Sequence, residues 1–328
     1  MNKLLGIHHI TAITSSAPRI YDFYTHVLGL RMVKKSVNQD DIQTYHLYFG
    51  DDLGSPGTAM TFFDFNQIPK AFHGTNEISK SGFRVPSDEA LLYWLKRFSK
   101  YEVKHTEIRE MFGRKYINFY DFDDQPYAIF SDQTKVGVKP GIPWKKGPIP
   151  DEFSIYGLGP VFLRVNRIES MSNILTNVFG FKMVSKESSY HLFEVAEGGN
   201  GGSIIVEENK LLPIATQGFG GVHHIAFRVK DRASLNDWET FFKSIGAPNS
   251  GYVDRYYFES LYTRLYPGIL FELATDEPGF IDEDEGYEIL GESLTLPPLY
   301  KDKRAYVESV VKMFDSKRSD KIFNKEYL

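Results

Sequence analysis

The chain has 328 residues, a formal net charge of −5, and 42% hydrophobic against 25% charged residues. That is the balance of a globular protein long enough for two domains, with no basic footprint for nucleic acid and no apolar run that could span a bilayer. Cysteine is absent, which excludes disulfides and thiolate chemistry.

The N-terminus leads straight from Met1-Asn2-Lys3 into a short strand pattern, Gly6–Ile13. No signal peptide is expected, and a cytoplasmic location is the simplest reading. A helix is predicted from about Pro18 to Leu28, stopped by Gly29. Strands Arg31–Ser36, Thr44–Phe49 and Thr58–Phe63 follow, separated by turns rich in Gly, Asp and Pro. The unit β-α-β-β-β then recurs. Val27-Leu28-Gly29-Leu30-Arg31-Met32-Val33 returns as Val178-Phe179-Gly180-Phe181-Lys182-Met183-Val184, and Tyr45-His46-Leu47-Tyr48-Phe49 as Tyr190-His191-Leu192-Phe193-Glu194. The helices beginning near Asp88 and Arg232 also match.

The expected fold is α+β, with four βαβββ modules paired into two open barrels. The expected modules are 1–66, 78–133, 157–208 and 218–276, with a proline-rich linker at 134–156 and a tail at 277–328. The tail reads as a surface wrap with one helix near Arg304–Phe314.

His-His-Ile occurs in the first strand of modules one and four, as His8-His9-Ile10 and His223-His224-Ile225. A lone carboxylate, Glu272, interrupts the apolar run Gly268–Leu273. Two imidazoles and a carboxylate are the ligand set of a non-haem Fe(II) site with open positions. Adjacent strand residues point to opposite faces, so only one histidine of each pair should face a metal, and parity does not say which. Modules two and three offer no such ligands. Aligned on their strands, they place Pro160 where module four has His224, and Phe130 and Val206 where it has Glu272; module one has Thr61 there. One metal site therefore requires modules one and four to pack together, leaving modules two and three as an empty companion barrel filled by Pro160, Val206 and Phe130. The remaining histidines, His26, His46, His73, His105 and His191, read as ordinary structural residues.

Gly6-Ile7-His8-His9-Ile10-Thr11, Tyr45–Gly50, Pro56-Gly57-Thr58 and Tyr257-Phe258-Glu259-Ser260 together resemble the hydroquinone-type ring-cleaving dioxygenases. These belong to the vicinal oxygen chelate superfamily, also called the glyoxalase/bleomycin-resistance/extradiol dioxygenase superfamily. The resemblance runs from about residue 4 to about residue 285. It implies His9, His224 and Glu272 as metal ligands, with Fe(II) as cofactor and Mn(II) as the alternative. It places His8 and His223 beside the ligands as catalytic groups, in the pocket or backing the ligands, and Thr11, Arg255 and Tyr262 at the substrate. The implied partners are a small aromatic diol and O2, with neither nucleic acid nor membrane; assembly into a homo-oligomer is left open. Two other readings share the fold. A glyoxalase-type lyase would want an acidic fourth ligand where Thr61 stands. A drug-sequestering resistance module would need no His/His/Glu set.

Overall fold

Each module lays down a strand, a helix and then three antiparallel strands. The computed structural model describes residues 3–328. The first module contains β1 (Ile7–Ile13), α1 (Ala17–Asp22), β2 (Arg31–Asn38), β3 (Asp41–Gly50) and β4 (Ala59–Phe63). The second contains β5 (Glu77–Val85), α2 (Asp88–Lys100), β6 (Arg109–Met111), β7 (Arg114–Tyr120) and β8 (Pro126–Ser131). A two-residue strand β9 (Gly157–Leu158) precedes the third, with β10 (Val161–Val165), α3 (Ile168–Asn173), β11 (Lys182–Glu187), β12 (Tyr190–Glu194) and β13 (Ser203–Glu208). The fourth contains β14 (Gly221–Val229), α4 (Arg232–Ser244), β15 (Asn249–Asp254), β16 (Phe258–Tyr266) and β17 (Ile269–Pro278), before a tail with α5 (Arg304–Val310).

Local chemistry sets the helix limits. Ser16 caps α1 by accepting from the Arg19 N–H, with Pro18 in the first turn where no N–H is missed. The helix then widens into a π turn, Phe23–Val27. Gly29 follows at φ +66°, where a Cβ would strike Ile149 Cγ1 at 2.3 Å, so only glycine suits that turn.

The strands form two curled, open sheets. One has the order β15-β16-β17-β14-β1-β4-β3-β2, joining the first and fourth modules through the antiparallel pair β1–β14. The other has the order β11-β12-β13-β10-β5-β8-β7-β6, joining the second and third. Helix residues Ile20, Tyr24, Trp94, Phe98, Leu175, Trp238 and Phe242 share one continuous core with alternate strand residues of both sheets. Trp94 and Trp238 are completely buried; burial of a side chain of this size contributes about 1.5–3 kcal/mol. The opposite, concave faces keep separate small clusters. One includes Val33, Tyr48, Phe258 and Phe280; the other includes Tyr116, Phe130, Phe162, Leu192 and Ile205.

The tail is more than a surface wrap. Its helix ends at Val310 rather than Phe314, because the chain turns extended at Val311. Phe314 then packs on Tyr21 and Tyr45. Glu285, fully buried, pairs with the equally buried Lys34 at 3.1 Å. Phe280 packs on Tyr48 inside the first sheet.

Candidate metal centre

Strict strand alternation fails at both histidine pairs, and the reason is a pair of β-bulges. Ile7 pairs with Phe227 and His9 with Ala226, so His8 is an extra residue on β1. Thr11 pairs with His224 and Ala12 with Val222, so His223 is the extra residue on β14. A bulge re-aims its side chain. Each first histidine thereby reaches its neighbour: His8 Nδ1 lies 2.8 Å from His9 Nδ1, and His223 Nδ1 lies 2.7 Å from His224 Nδ1.

These contacts fix the tautomers. His8 Nε2 sits 3.0 Å from the Thr275 carbonyl, which can only accept, so the proton of neutral His8 is on Nε2. His8 Nδ1 then accepts from His9 Nδ1–H, leaving His9 Nε2 with a free lone pair. Among the described residues no carbonyl fixes the second pair in this way; with a metal on His224 Nε2, the His224 Nδ1–H would donate to His223 Nδ1 and leave the His223 proton on Nε2. Burial, then the adjacent His9, pushes His8 down to about 3. Burial, then His224, pushes His223 down to about 3. Both are neutral at ordinary pH.

His9 Nε2, His224 Nε2 and Glu272 Oε2 meet at one point, at separations of 3.2, 3.2 and 2.9 Å. Among the described residues they form a cluster able to hold an ion, and all three are buried. Three cis ligands at ~2.1 Å from an ion stand about 3 Å apart, so the residues fit a divalent metal. Glu272 Oε2 has no hydrogen-bond partner although fully buried, the condition of an atom shaped for an ion rather than a proton. Its other oxygen accepts from Ser260 Oγ at 2.5 Å. Burial alone would raise the Glu272 carboxyl, but the imidazoles of His9 and His224 hold it well below its usual range. Burial lowers His224. Neutral imidazoles and an ionised carboxylate are the metal-ready state.

A cavity of about 450 Å³ opens on this cluster. Its wall includes His9, His46, Tyr48, His223, His224, Arg255, Phe258 and Tyr262. Arg255 Nε donates to Tyr262 Oη at 3.0 Å. His223 faces the cavity; His8 does not line it and instead orients His9. Thr11 is fully buried and also stays out of the wall. Its hydroxyl lies 2.7 Å from that of Thr61, which meets His46 Nε2 at 2.9 Å; Tyr48 Oη meets His46 Nδ1 at 2.6 Å. Thr11 therefore supports the wall from behind, through a chain that ends at the cavity.

His46, Tyr48 and Ser260 carry no role in the sequence, where His46 reads as an ordinary structural residue. The signal was present: His46 and Tyr48 alternate on one face of β3, two residues apart. The Tyr-His-Leu repeat obscured it, because it matches His46 to His191. In the structure the inner-face counterpart of His46 is Tyr190, and His191 falls on the other face. A one-residue slip exchanges the two faces of a strand.

The companion barrel needs a similar correction. Thr11, Gly82, Phe162 and Ala226 each lie five residues before a helix N-cap, and pair with Thr61, Ala128, Ile205 and Glu272. The counterparts of Glu272 are thus Ala128 and Ile205, not Phe130 and Val206. The fully buried Phe130 still belongs to this inner cluster, whereas Val206 packs in the main core. Pro160 holds the position of His224, and the position of His9 in the second module is Lys80. Its ammonium donates to Asn118 Oδ1 at 2.6 Å and sits 4.4 Å over the Phe162 ring. A lysine ammonium, not only apolar packing, lies against this inner cluster.

The model of the Glyoxalase/Bleomycin resistance protein/Dioxygenase superfamily matches residues 6–126 and 157–288, and the chain belongs to that superfamily. It is 44% identical to "Putative ring-cleaving dioxygenase MhqA" of Bacillus subtilis (strain 168), over 94% of this chain and 99% of that one. It is 33% identical to "Chlorohydroquinone/hydroquinone 1,2-dioxygenase" of Sphingobium indicum, over 90% and 92%. A solved Bacillus subtilis structure titled as a putative dioxygenase matches with a TM-score of 0.88 at 35% identity, over 97% of this chain and all of that one. Glyoxalase I from Zea mays shares the fold, at a TM-score of 0.59 and 15% identity over 84% and 92%.

Proposed function

We propose that this member of the superfamily is a ring-cleaving dioxygenase that opens a hydroquinone- or catechol-like ring with O2, in quinone and hydroquinone detoxification. His9, His224 and Glu272 would hold Fe(II), with Mn(II) the alternative occupant. The observation that carries this reading is the convergence of three ligand atoms beneath a cavity, with no fourth ligand among the described residues. The place of a fourth, Thr61, is taken by a hydroxyl already engaged with Thr11 and His46. That disfavours a four-ligand lyase site. The names of the relatives support ring cleavage.

Fe(II) supplies, when bound, ionisation of a phenol and electron transfer between ring and O2. The protein's own groups do the rest. His223 lines the cavity and, with its proton on Nε2, would give it to, or take it back from, an oxygen of the ring. Tyr262 Oη, pinned by Arg255, can donate to a second ring oxygen. The Arg255 charge stabilises negative charge that develops there. Phe258, packed 5.0 Å from the His9 ring centre, offers an apolar wall for the ring and keeps water out. The test is anaerobic loading with Fe(II), then O2 uptake against a panel of hydroquinones and catechols. Uptake with a ring-opened product is expected. No uptake with any of them, together with isomerisation of a thiol adduct of a ketoaldehyde, would establish a lyase instead.

A further inference from the structure

The two free edges of the metal-binding sheet are β2 and β15, and one ion pair closes the gap between them. Asp40, in the turn between β2 and β3, meets Arg255, in the turn between β15 and β16. Arg255 Nη1 donates to Asp40 Oδ1 at 3.2 Å and Nη2 to Oδ2 at 2.9 Å. Gln39 Nε2 adds a bond to the Arg255 carbonyl at 2.8 Å. With Nε spent on Tyr262, both the fork and the flank of the guanidinium are taken.

Arg255 is the cavity wall's one fixed positive charge among the described residues. A planar guanidinium at a substrate cavity is ordinarily a receptor for a carboxylate, gripped by two parallel bonds. Here an internal carboxylate already makes those bonds, and Asp41 puts a second negative charge on the same wall. The Asp40 side chain is 72% exposed, so the pair adds little to folding stability. Its effect falls on what enters. Size does not exclude a ring acid, because about 450 Å³ is far more than one substituted benzene ring fills.

We propose that Asp40 is a specificity-determining residue. It occupies the Arg255 fork as a built-in carboxylate, so the cavity takes neutral dihydroxybenzenes and turns away rings that carry a carboxylate. This rests on the ring-cleavage reading for its substrate class, but it is read as a ratio and in binding.

The experiment compares hydroquinone with 2,5-dihydroxybenzoate, using the Fe(II)-loaded full chain and its Asp40→Asn and Asp40→Ala variants. Binding is measured anaerobically by calorimetry, and kcat/KM by O2 uptake. The wild type should favour hydroquinone. Each variant should shift the ratio toward the acid by about ten-fold or more, and adding Arg255→Gln to either should cancel the shift. A ratio that does not move in either variant, or a wild type that takes the acid as well as hydroquinone, overturns the proposal. If hydroquinone binds but no O2 is consumed, the ring-cleavage reading fails while the binding ratio still decides the role of Asp40. If neither ring binds any of the proteins, both readings fall.

Discussion

Glu272 Oε2 lies 2.9 Å from His224 Nε2, in a contact that lacks the alignment of a good hydrogen bond. The lone pairs of both atoms face the same point, which His9 Nε2 also faces. A buried carboxylate oxygen left this way costs free energy unless a cation completes it. Metal analysis should therefore find about one divalent ion per chain in the wild type and a small fraction of that in His224→Ala and Glu272→Ala. Thr61→Ala should keep its metal, because Thr61 bonds to Thr11 and His46 and not to the cluster. Full retention of metal in both ligand variants would sink the assignment.

Tyr262 pairs with Glu272 in the strand register, and burial raises its hydroxyl above the usual tyrosine range. It stays protonated and acts as a donor. Tyr262→Phe removes that donor and no ligand. Its turnover should fall about 10–100-fold with metal content unchanged; loss of metal in this variant would mean that the tyrosine is structural.

The residues legible in sequence were those that broke a pattern twice. The two histidine pairs are polar residues in apolar strands at matching repeat positions, with the choice of His9 and His224 within them implied only by the family resemblance, and Glu272 is a carboxylate where its repeat partner is Thr61. The pairing of four βαβββ modules into two open barrels followed from the same comparison. What stayed hidden depended on backbone detail that residue identity does not carry. The bulges at His8 and His223 leave no mark in the sequence. The one-residue slip between His46 and His191 put a cavity histidine beside an outer-face one. Lys80 carries no signal in a comparison of metal ligands, because a lysine is a cation rather than a ligand for one.

His46 is held between Thr61 and Tyr48 by hydrogen bonds at both ring nitrogens, one donating and one accepting. Burial, then His9 and His224, keeps it neutral. It can thus pass a proton only along the Tyr48–His46–Thr61 line. His46→Gln should lower kcat/KM by about ten-fold, with metal retained, and Tyr48→Phe should show a related loss. If both variants match the wild type, the chain of hydroxyls only supports the wall.

Lys34 and Glu285 are each fully buried and tie the tail to β2. Glu285 also accepts from the N–H groups of Gly291 and Ser293, each at 3.0 Å. Lys34→Met strands that carboxylate and should cost about 3–5 kcal/mol in denaturant unfolding. Adding Glu285→Gln should recover part of the loss, since the uncompensated charge is then gone. A single variant as stable as the wild type would show that the two backbone donors alone satisfy Glu285.

Lys80 sets the last expectation, which concerns pH. Burial, then the nearby Arg164, lowers its ammonium from 10.5 to about 8. Between those values the unfolded chain keeps a proton that the folded chain has released. Stability therefore rises with pH across that window. Near pH 7 the folded state instead carries the cost of a desolvated charge, at most about 3 kcal/mol. Lys80→Met keeps an apolar side chain against the Phe162 ring and removes that cost, while leaving Asn118 Oδ1 without its donor, worth about 1 kcal/mol. Urea unfolding near pH 7 should show the variant about 1–2 kcal/mol more stable, and the rise above pH 8 should flatten. A variant less stable than the wild type near pH 7 would mean that Asn118 and the Phe162 face more than compensate the buried charge, and that the companion barrel is built around its lysine.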